Sequence, residues 1–481
     1  MPKVRMRDVV IMLPGITGSV LRKDERDVWA FSGQAAWGAL RSLGASVQAL
    51  ALDGDDPDAD DLGDGVTATR VIPDLILVPG LKKVNGYSAM RAWVEDRFEV
   101  TVGAFDDPPD RPANVYEFPY DWRRHNAASA RALAKLVDVR LPRWQEHSGA
   151  ADAKVILLAH SMGGLVARQY VDVLGGWERC RALVTFGTPH RGSVNALDFL
   201  ANGYKKAFVD LTELLRSCSS AYELLPIYPM LEAGGAWQRV CETAGVPGVD
   251  RARAVAARAF HQRIEDAVAE NRTSLSYRDN FAVLPIVGTR QEDTLQSARL
   301  VGARLTTSSD LPPAVPAEWR GGDGTVPMVG ATPIEFDRGF YDTFVPERHS
   351  CIHLPRVLDP HCRTRLQVIQ APGVAHIRGE LSGEAEQAPA ISLDLDDLYL
   401  PDEPVTIGAR MVNVDAEPGG VRAVVTRVGS SGPPARIDLG EAGGRWSADA
   451  VLAPGLYQVE VRAVQADVMP DPVHDVFEVA G

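Results

Sequence analysis

The chain has 481 residues, 45% hydrophobic and 24% charged, and a formal net charge of −14. That composition is globular, with apolar material for a large core and length for two or three units of ~150 residues. An acidic surface repels phosphate backbones, which excludes nucleic acid as an expected partner and disfavours electrostatic docking on anionic membranes.

Met1–Arg7 is basic, but the apolar Val9–Leu13 that follows is only a strand long before Pro14-Gly15. A signal peptide needs a longer apolar core, and no run reaches the ~18–20 apolar residues of a bilayer span. The expected location is cytoplasmic. Cys180, Cys218, Cys241, Cys351 and Cys362 are odd in number and form no CxxC pair. They read as free thiols, with a Cys218–Cys241 disulfide as the alternative and no metal site.

Val9–Leu13 has the length and apolarity of a buried strand. Asp53–Asp64 is crowded with carboxylates but lacks the Gly and terminal Glu of an EF-hand, so a solvated loop is expected. Tyr87–Phe98 has helical spacing, with Tyr87, Met90, Trp93 and Val94 on one face, and Ala127–Trp144 is a longer amphipathic helix. Lys154–Ala159 is a continuous apolar run typical of a strand buried on both faces. Gly163–Leu174 reads as helix and Cys180–Phe186 as strand. Val194 to about Asn280 is helical without a strand run, as a cap or lid would be. Val283–Val287 resumes the strands, and Thr306–Trp319, with Pro312, Pro313 and Pro316, is a turn-rich connection. The alternation predicts an α/β domain with a mostly parallel sheet.

Near residue 371 the texture changes. Gly379–Pro389 has linker composition. Beyond it Ser392–Leu398, Pro404–Val412, Val421–Val428 and Leu456–Ala463 are strand-like and punctuated by Gly and Pro, which predicts an all-β, Ig-like sandwich of about 90 residues. It holds no obvious catalytic cluster. The expected boundaries are 1–372 for the catalytic domain with its cap at about 194–280, 373–389 for the linker, and 390–481 for the sandwich.

Ala159-His160-Ser161-Met162-Gly163-Gly164 follows the Lys154–Ala159 strand and opens a helix. This is the pattern of a nucleophile elbow, in which a tight turn between small residues exposes a serine; Ala159 stands where Gly is usual. Leu13-Pro14-Gly15-Ile16-Thr17-Gly18-Ser19 follows the first strand, where such folds place one oxyanion N–H donor. Ile16 is the expected donor, Thr17 the alternative, and Met162 the second donor. The acid is expected after the serine. Asp323, in Arg320-Gly321-Gly322-Asp323-Gly324-Thr325-Val326-Pro327, is bracketed by glycines on a tight loop; Asp310 and Asp337 are weaker candidates. His349, after the strand-like Phe340–Val345, is the expected base, with His353 as the alternative. His474 also follows Asp323; His361 and His376 read as structural, and His160 as packing or orienting the elbow.

LPGITGS at 13–19, FPYDWR at 118–123, AHSMGG at 159–164, FGTPHRGS at 186–193 and GGDGTVP at 321–327 occur in this order, with His349 after them. Over about residues 9 to 370 the chain resembles the lecithin:cholesterol acyltransferase family of α/β-hydrolases, which includes lysosomal phospholipase A2. The resemblance implies that Tyr120, Asp121, Trp122 and Arg123 lie beside the acyl site, with Asp121 and Arg123 paired and Trp122 lining an acyl groove. Thr17 and His160 are further pocket candidates. His190 and Arg191 stand where family members often carry Trp or Gly.

The expected activity is therefore a serine hydrolase or O-acyltransferase of lipid-like esters, without metal or organic cofactor. The alternatives are a carboxylesterase of small esters and a dead hydrolase core serving as a binding module. Transient lipid contact through the cap, and a protein or carbohydrate partner for the sandwich, complete the expectations.

Overall fold

The computed structural model describes residues 3–30, 50–72, 86–206, 209–336, 343–370, 389–400, 403–414, 418–428, 432–464 and 470–480. The expected linker falls almost wholly outside them, as do Asp337 and His376.

Seven strands form the central sheet: β1 (Val9–Leu13), β2 (Val102–Gly103), β3 (Val115–Glu117), β4 (Val155–His160), β5 (Cys180–Phe186), β6 (Ala282–Gly288) and β7 (Phe344–Val345). Their order is β7-β6-β5-β4-β1-β3-β2, with every pair parallel. Each residue of β1 and β4 is buried. Helices cover both faces of a parallel sheet, so its central strands carry apolar residues without alternation. The helices include α1 (Ser88–Arg97), α2 (Asn126–Ser148), α3 (Gly163–Arg168), α4 (Val194–Asn202), α5 (Arg251–Asn271) and α6 (Pro355–Ile369). Two apolar layers result: Leu13, Val155 and Leu157 face one, and Val10, Ile156 and Leu158 the other. The register sets Leu13 beside Ala159, and Phe186 beside His160, so three strand ends converge at Ser161.

The stretch 194–280 is not purely helical. Leu231–Ala233 and Ala236–Gln238 form a hairpin that joins Ser297–Val301 and Arg304–Ser308 in a four-stranded sheet. Strands of three residues carry no readable period, and their partners lie outside the segment. The same sheet takes in the start of the stretch read as a turn-rich connection. Among the described residues no helix is long and apolar enough to cross a membrane.

The C-terminal part is an eight-stranded, mostly antiparallel sheet of the β-sandwich class. Its strands are β8 (Ala390–Asp394), β9 (Leu398–Tyr399), β10 (Val405–Val412), β11 (Gly420–Arg427), β12 (Ala435–Ala442), β13 (Arg445–Ala450), β14 (Gly455–Val464) and β15 (Val473–Val479), in the order β8-β10-β13-β12-β11-β14-β15-β9. It encloses its own core, including Ile407, Val425, Val461 and Phe477. Sequence reasoning missed β12, β13 and β15. Gly443 and Gly444, read only as punctuation, both take positive φ and close the β12–β13 hairpin.

Glu478 on β15 is buried, and burial raises its carboxyl to about 8. The folded chain therefore keeps a proton that the unfolded chain releases near pH ~4.3, so this group's contribution to stability is lost as pH rises from there through about 8. Glu478→Gln is expected to gain in melting temperature relative to the natural protein across that window. Parallel curves for the two proteins would contradict this.

Candidate active site

Ser161 sits in the turn between β4 and α3 with φ of 51°, the left-handed conformation that a nucleophile elbow imposes on a non-glycine residue. Its N–H bonds Phe186 O at 2.9 Å, and its carbonyl accepts from Gly164 N at 3.0 Å, which pins the strained turn on both sides. Met162 follows as the residue capping α3. The 13–19 loop presses against the serine: a Cβ added at Gly15 would lie 2.9 Å from Ser161 Cβ and 3.4 Å from its Oγ. Of the two expected oxyanion donors, Met162 follows Ser161 in sequence, and Ile16 follows Gly15 on the loop that presses against it and lines the same cavity as Ser161.

The structure brings Ser161, His349 and Asp323 together from three separate segments. His349 Nδ1 is 2.6 Å from Asp323 Oδ2, and His349 Nε2 is 2.9 Å from Ser161 Oγ. A carboxylate only accepts, so Nδ1 carries the proton and Nε2 accepts from the serine hydroxyl. Asp323 Oδ1 accepts from Thr325 N at 2.8 Å and Val326 N at 2.7 Å. All three side chains are buried. Gly187, with φ of 55°, leaves room for the pair: a Cβ there would lie 2.7 Å from Asp323 Oδ2 and 2.9 Å from His349 Nδ1.

The alternative candidates lie elsewhere. His353 stacks on Tyr87 and packs against His160, with centroids at 5.0 and 4.5 Å. Asp310 is exposed and accepts from Ser308. His361 is on α6, and His474 is on β15.

His160 links His349 to the 13–19 loop. Its Nε2 lies 3.0 Å from the carbonyl of His349, so Nε2 is the donor; Nδ1 then accepts from Tyr87 OH at 2.9 Å. Tyr87 OH in turn accepts from Gly15 N at 2.7 Å. Burial, with His353 and His349 close by, holds the His160 pKa well below the usual histidine range, so the ring stays neutral. Tyr120 OH donates to Pro14 O at 2.7 Å, holding the same loop from the other side. Tyr87 has no motif around it, and its helical spacing announces only a buried face. Tyr87→Phe is expected to strand the buried Gly15 N–H, at about 1–3 kcal/mol of stability. It is also expected to lower kcat, as checked by urea unfolding and ester turnover; unchanged values for both would exclude the link.

Trp122 does not line the groove beside Ser161. It is buried against Trp29, with centroids at 4.9 Å, and Trp29 Nε1 donates to Thr17 O. Its support of the loop is indirect. Asp121 and Arg123 do pair, at 2.6 Å, and buried Arg123 also binds Asp64 at 2.8 Å and Leu50 O at 3.0 Å. Arg124 takes the carbonyls of Asp56, Ala59 and Asp60. The acidic run is therefore not simply solvated: two arginines fasten it to the 120–124 loop. His190 bonds Thr185, and Arg191 bonds Thr332 O and Pro333 O, so both brace neighbouring loops. None of the five cysteines is in a disulfide, so the Cys218–Cys241 pair does not form.

Two cavities meet at His349. One, of about 80 Å³, is apolar; Ile16, Phe199, Leu200, Leu215, Leu224 and Val326 wall it, with Thr17 and Ser161 at its edge. The other, of about 390 Å³, is polar and lies between the two domains, with Asp323 and Arg348 on one side and Asp394, Asp396, Asp397 and Asp475 on the other.

The parallel sheet with helices on both faces, and the turn that carries Ser161 at its edge, define the class: an α/β-hydrolase fold. Residues 110–292 match the lecithin:cholesterol acyltransferase family, which bears out the resemblance carried by the motifs. Among solved structures the chain is similar to the lipase BlEst2 of Bacillus licheniformis. Its propeptide form is 12% identical with a TM-score of 0.31, over 99% of this chain and 94% of that one. Its mature form is 13% identical with a TM-score of 0.30, over 76% and 94%. No curated protein matches the chain.

Proposed function

We propose that this protein is a serine-dependent acyl-ester hydrolase, able to pass the acyl group to an alcohol, acting on lipid-like esters. The observation that carries the reading is the continuous hydrogen-bonded line from Asp323 through His349 to Ser161, with Ile16 and Met162 beside the serine. His349 takes the hydroxyl proton as Ser161 Oγ attacks the ester carbonyl. The oxyanion is held by the N–H groups of Ile16 and Met162. Collapse expels the alcohol, which takes the proton from His349 and leaves acyl-Ser161. Water or a second alcohol, deprotonated by His349, then releases the acyl group. These steps call for no cofactor.

The apolar cavity supports an acyl chain as the group bound beside Ser161. Its volume also supports a second reading, a carboxylesterase of short esters. A cavity of 80 Å³ is smaller than the roughly 150 Å³ that holds a benzene in a protein core, so a long chain enters only if α4 and its neighbours move. Val255 and Leu275, exposed on the cap helices, support transient lipid contact as part of the lipid reading, and the free thiols support a reducing, cytoplasmic setting. Intact-mass spectrometry after incubation with a lipid-like fluorophosphonate tests the common core. One adduct, absent in Ser161→Ala, is expected; no adduct on folded protein would sink the proposal. A chain-length series of esters then separates lipid from short-ester substrates.

A further inference from the structure

The residue proposed as the base stands on a nine-residue loop, 346–354, between β7 and α6, and the C-terminal sandwich touches that loop on both sides of His349. Asp475 of β15 accepts from Arg348 Nε at 3.2 Å and from Ser350 Oγ at 3.1 Å, one carboxylate oxygen to each neighbour of His349. Arg348 also donates to Asp293 at 2.7 Å. Asp475, Arg348 and Ser350 are all buried. A second tie runs through Gln291, which is fully buried. Its Nε2 donates to Pro346 O at 3.1 Å and faces Ile391 O at 3.4 Å, while its Oε1 accepts from Leu393 N at 3.1 Å. Strand β8 and the loop are thereby joined by one side chain. Glu292 N donates to Ser392 Oγ at 3.1 Å beside it.

From this arrangement we infer that the sandwich is a working part of the active site: Asp475 is a positioning residue that fixes the His349 loop from the second domain. The inference rests on the catalytic reading of His349. A base must stand within hydrogen-bond reach of both its serine and its carboxylate, and a misplacement of about 1 Å can cost about a hundredfold in rate. His349 has its own bonds within the first domain: its ring to Asp323 and Ser161, its N–H to Asp323 O at 2.8 Å, and its carbonyl to His160. The side chains before and after it, Arg348 and Ser350, are gripped from the sandwich, which adds a second hold on the same backbone. Arg348 holds a buried charge, and one of the two carboxylates paired with it, Asp475, comes from across the domain boundary. Neither domain alone contains the complete support, which gives the attachment of the sandwich a chemical reason.

The test uses the full chain. Asp475→Asn keeps the shape and removes the charge, while Ser350→Ala removes one uncharged donor to the carboxylate and spares the buried ion pair. Asp449→Asn, an exposed carboxylate of β13 bonded to Thr406, is the control. On a short-chain ester, Asp475→Asn is expected to lower kcat about tenfold with little change in KM, and Ser350→Ala to lower it severalfold. The double variant is expected to be no worse than Asp475→Asn alone, since both act through one carboxylate. If Asp475→Asn does not fold, Ser350→Ala carries the test. Folded Ser350→Ala or Asp475→Asn with an unchanged kcat would overturn the inference, and so would a faster enzyme, which would make the sandwich a brake. A natural protein without a Ser161 adduct would overturn the catalytic reading and this inference together; an adduct with unchanged variants overturns this inference alone.

Discussion

His349→Gln is expected to lower kcat on a short-chain ester by about a millionfold, and to lower it no further when combined with Ser161→Ala. The reason lies in how the proton is carried. Ser161 Oγ is 2.9 Å from Nε2 of His349. Gln offers an amide that cannot take the hydroxyl proton at neutral pH, so the nucleophile stays a neutral alcohol. Once either partner is gone the pair no longer works as a unit, and the second loss costs almost nothing. Stability should change little, since the loop around position 349 keeps its backbone bonds and its ties to Asp475. His353→Gln supplies the comparison. His353 stacks on Tyr87 away from Ser161, so its loss disturbs packing and leaves residual turnover far above that of His349→Gln. Steady-state kinetics on the three variants decide the matter; full activity in His349→Gln with loss in His353→Gln would reassign the base.

Asp323→Asn is expected to cost about ten thousandfold in kcat with the fold intact. The local geometry explains why the substitution is worse than a lost charge. Asp323 Oδ1 accepts from two backbone N–H groups, those of Thr325 and Val326. In Asn the oxygen must stay at that end, so the NH₂ faces His349 Nδ1. Donor then meets donor, and the imidazole escapes by moving its proton to Nε2. That nitrogen points at Ser161 and can no longer accept its proton. Asp310→Asn, on an exposed loop, should leave turnover unchanged. Equal, modest losses in both variants would show that Asp323 does not orient the base.

The contrast between Trp122 and Tyr87 shows where sequence reasoning reached and where it stopped. FPYDWR marks its neighbourhood as important, yet nothing in the motif tells which way the indole points; packing on Trp29 decided that. Tyr87 carries no motif at all and still joins Gly15 to His160.

The sequence by itself determined the turn at Ser161, the set of Ser161, Asp323 and His349 that meets there, and the parallel sheet behind them. These are local signals: apolar runs of strand length, small residues where a turn is tight, an Asp held between glycines. It also determined that a second, all-β unit follows. Tertiary structure alone decided that 194–280 contributes strands, that the acidic run is fastened by Arg123 and Arg124, and that Asp475 reaches the loop of His349. Each of these depends on pairings between residues far apart in the chain: Asp475 lies 127 residues from Arg348. Periodicity and local propensity report on a residue's own turn or strand; which distant carboxylate meets a buried arginine is set only when the domains close on one another.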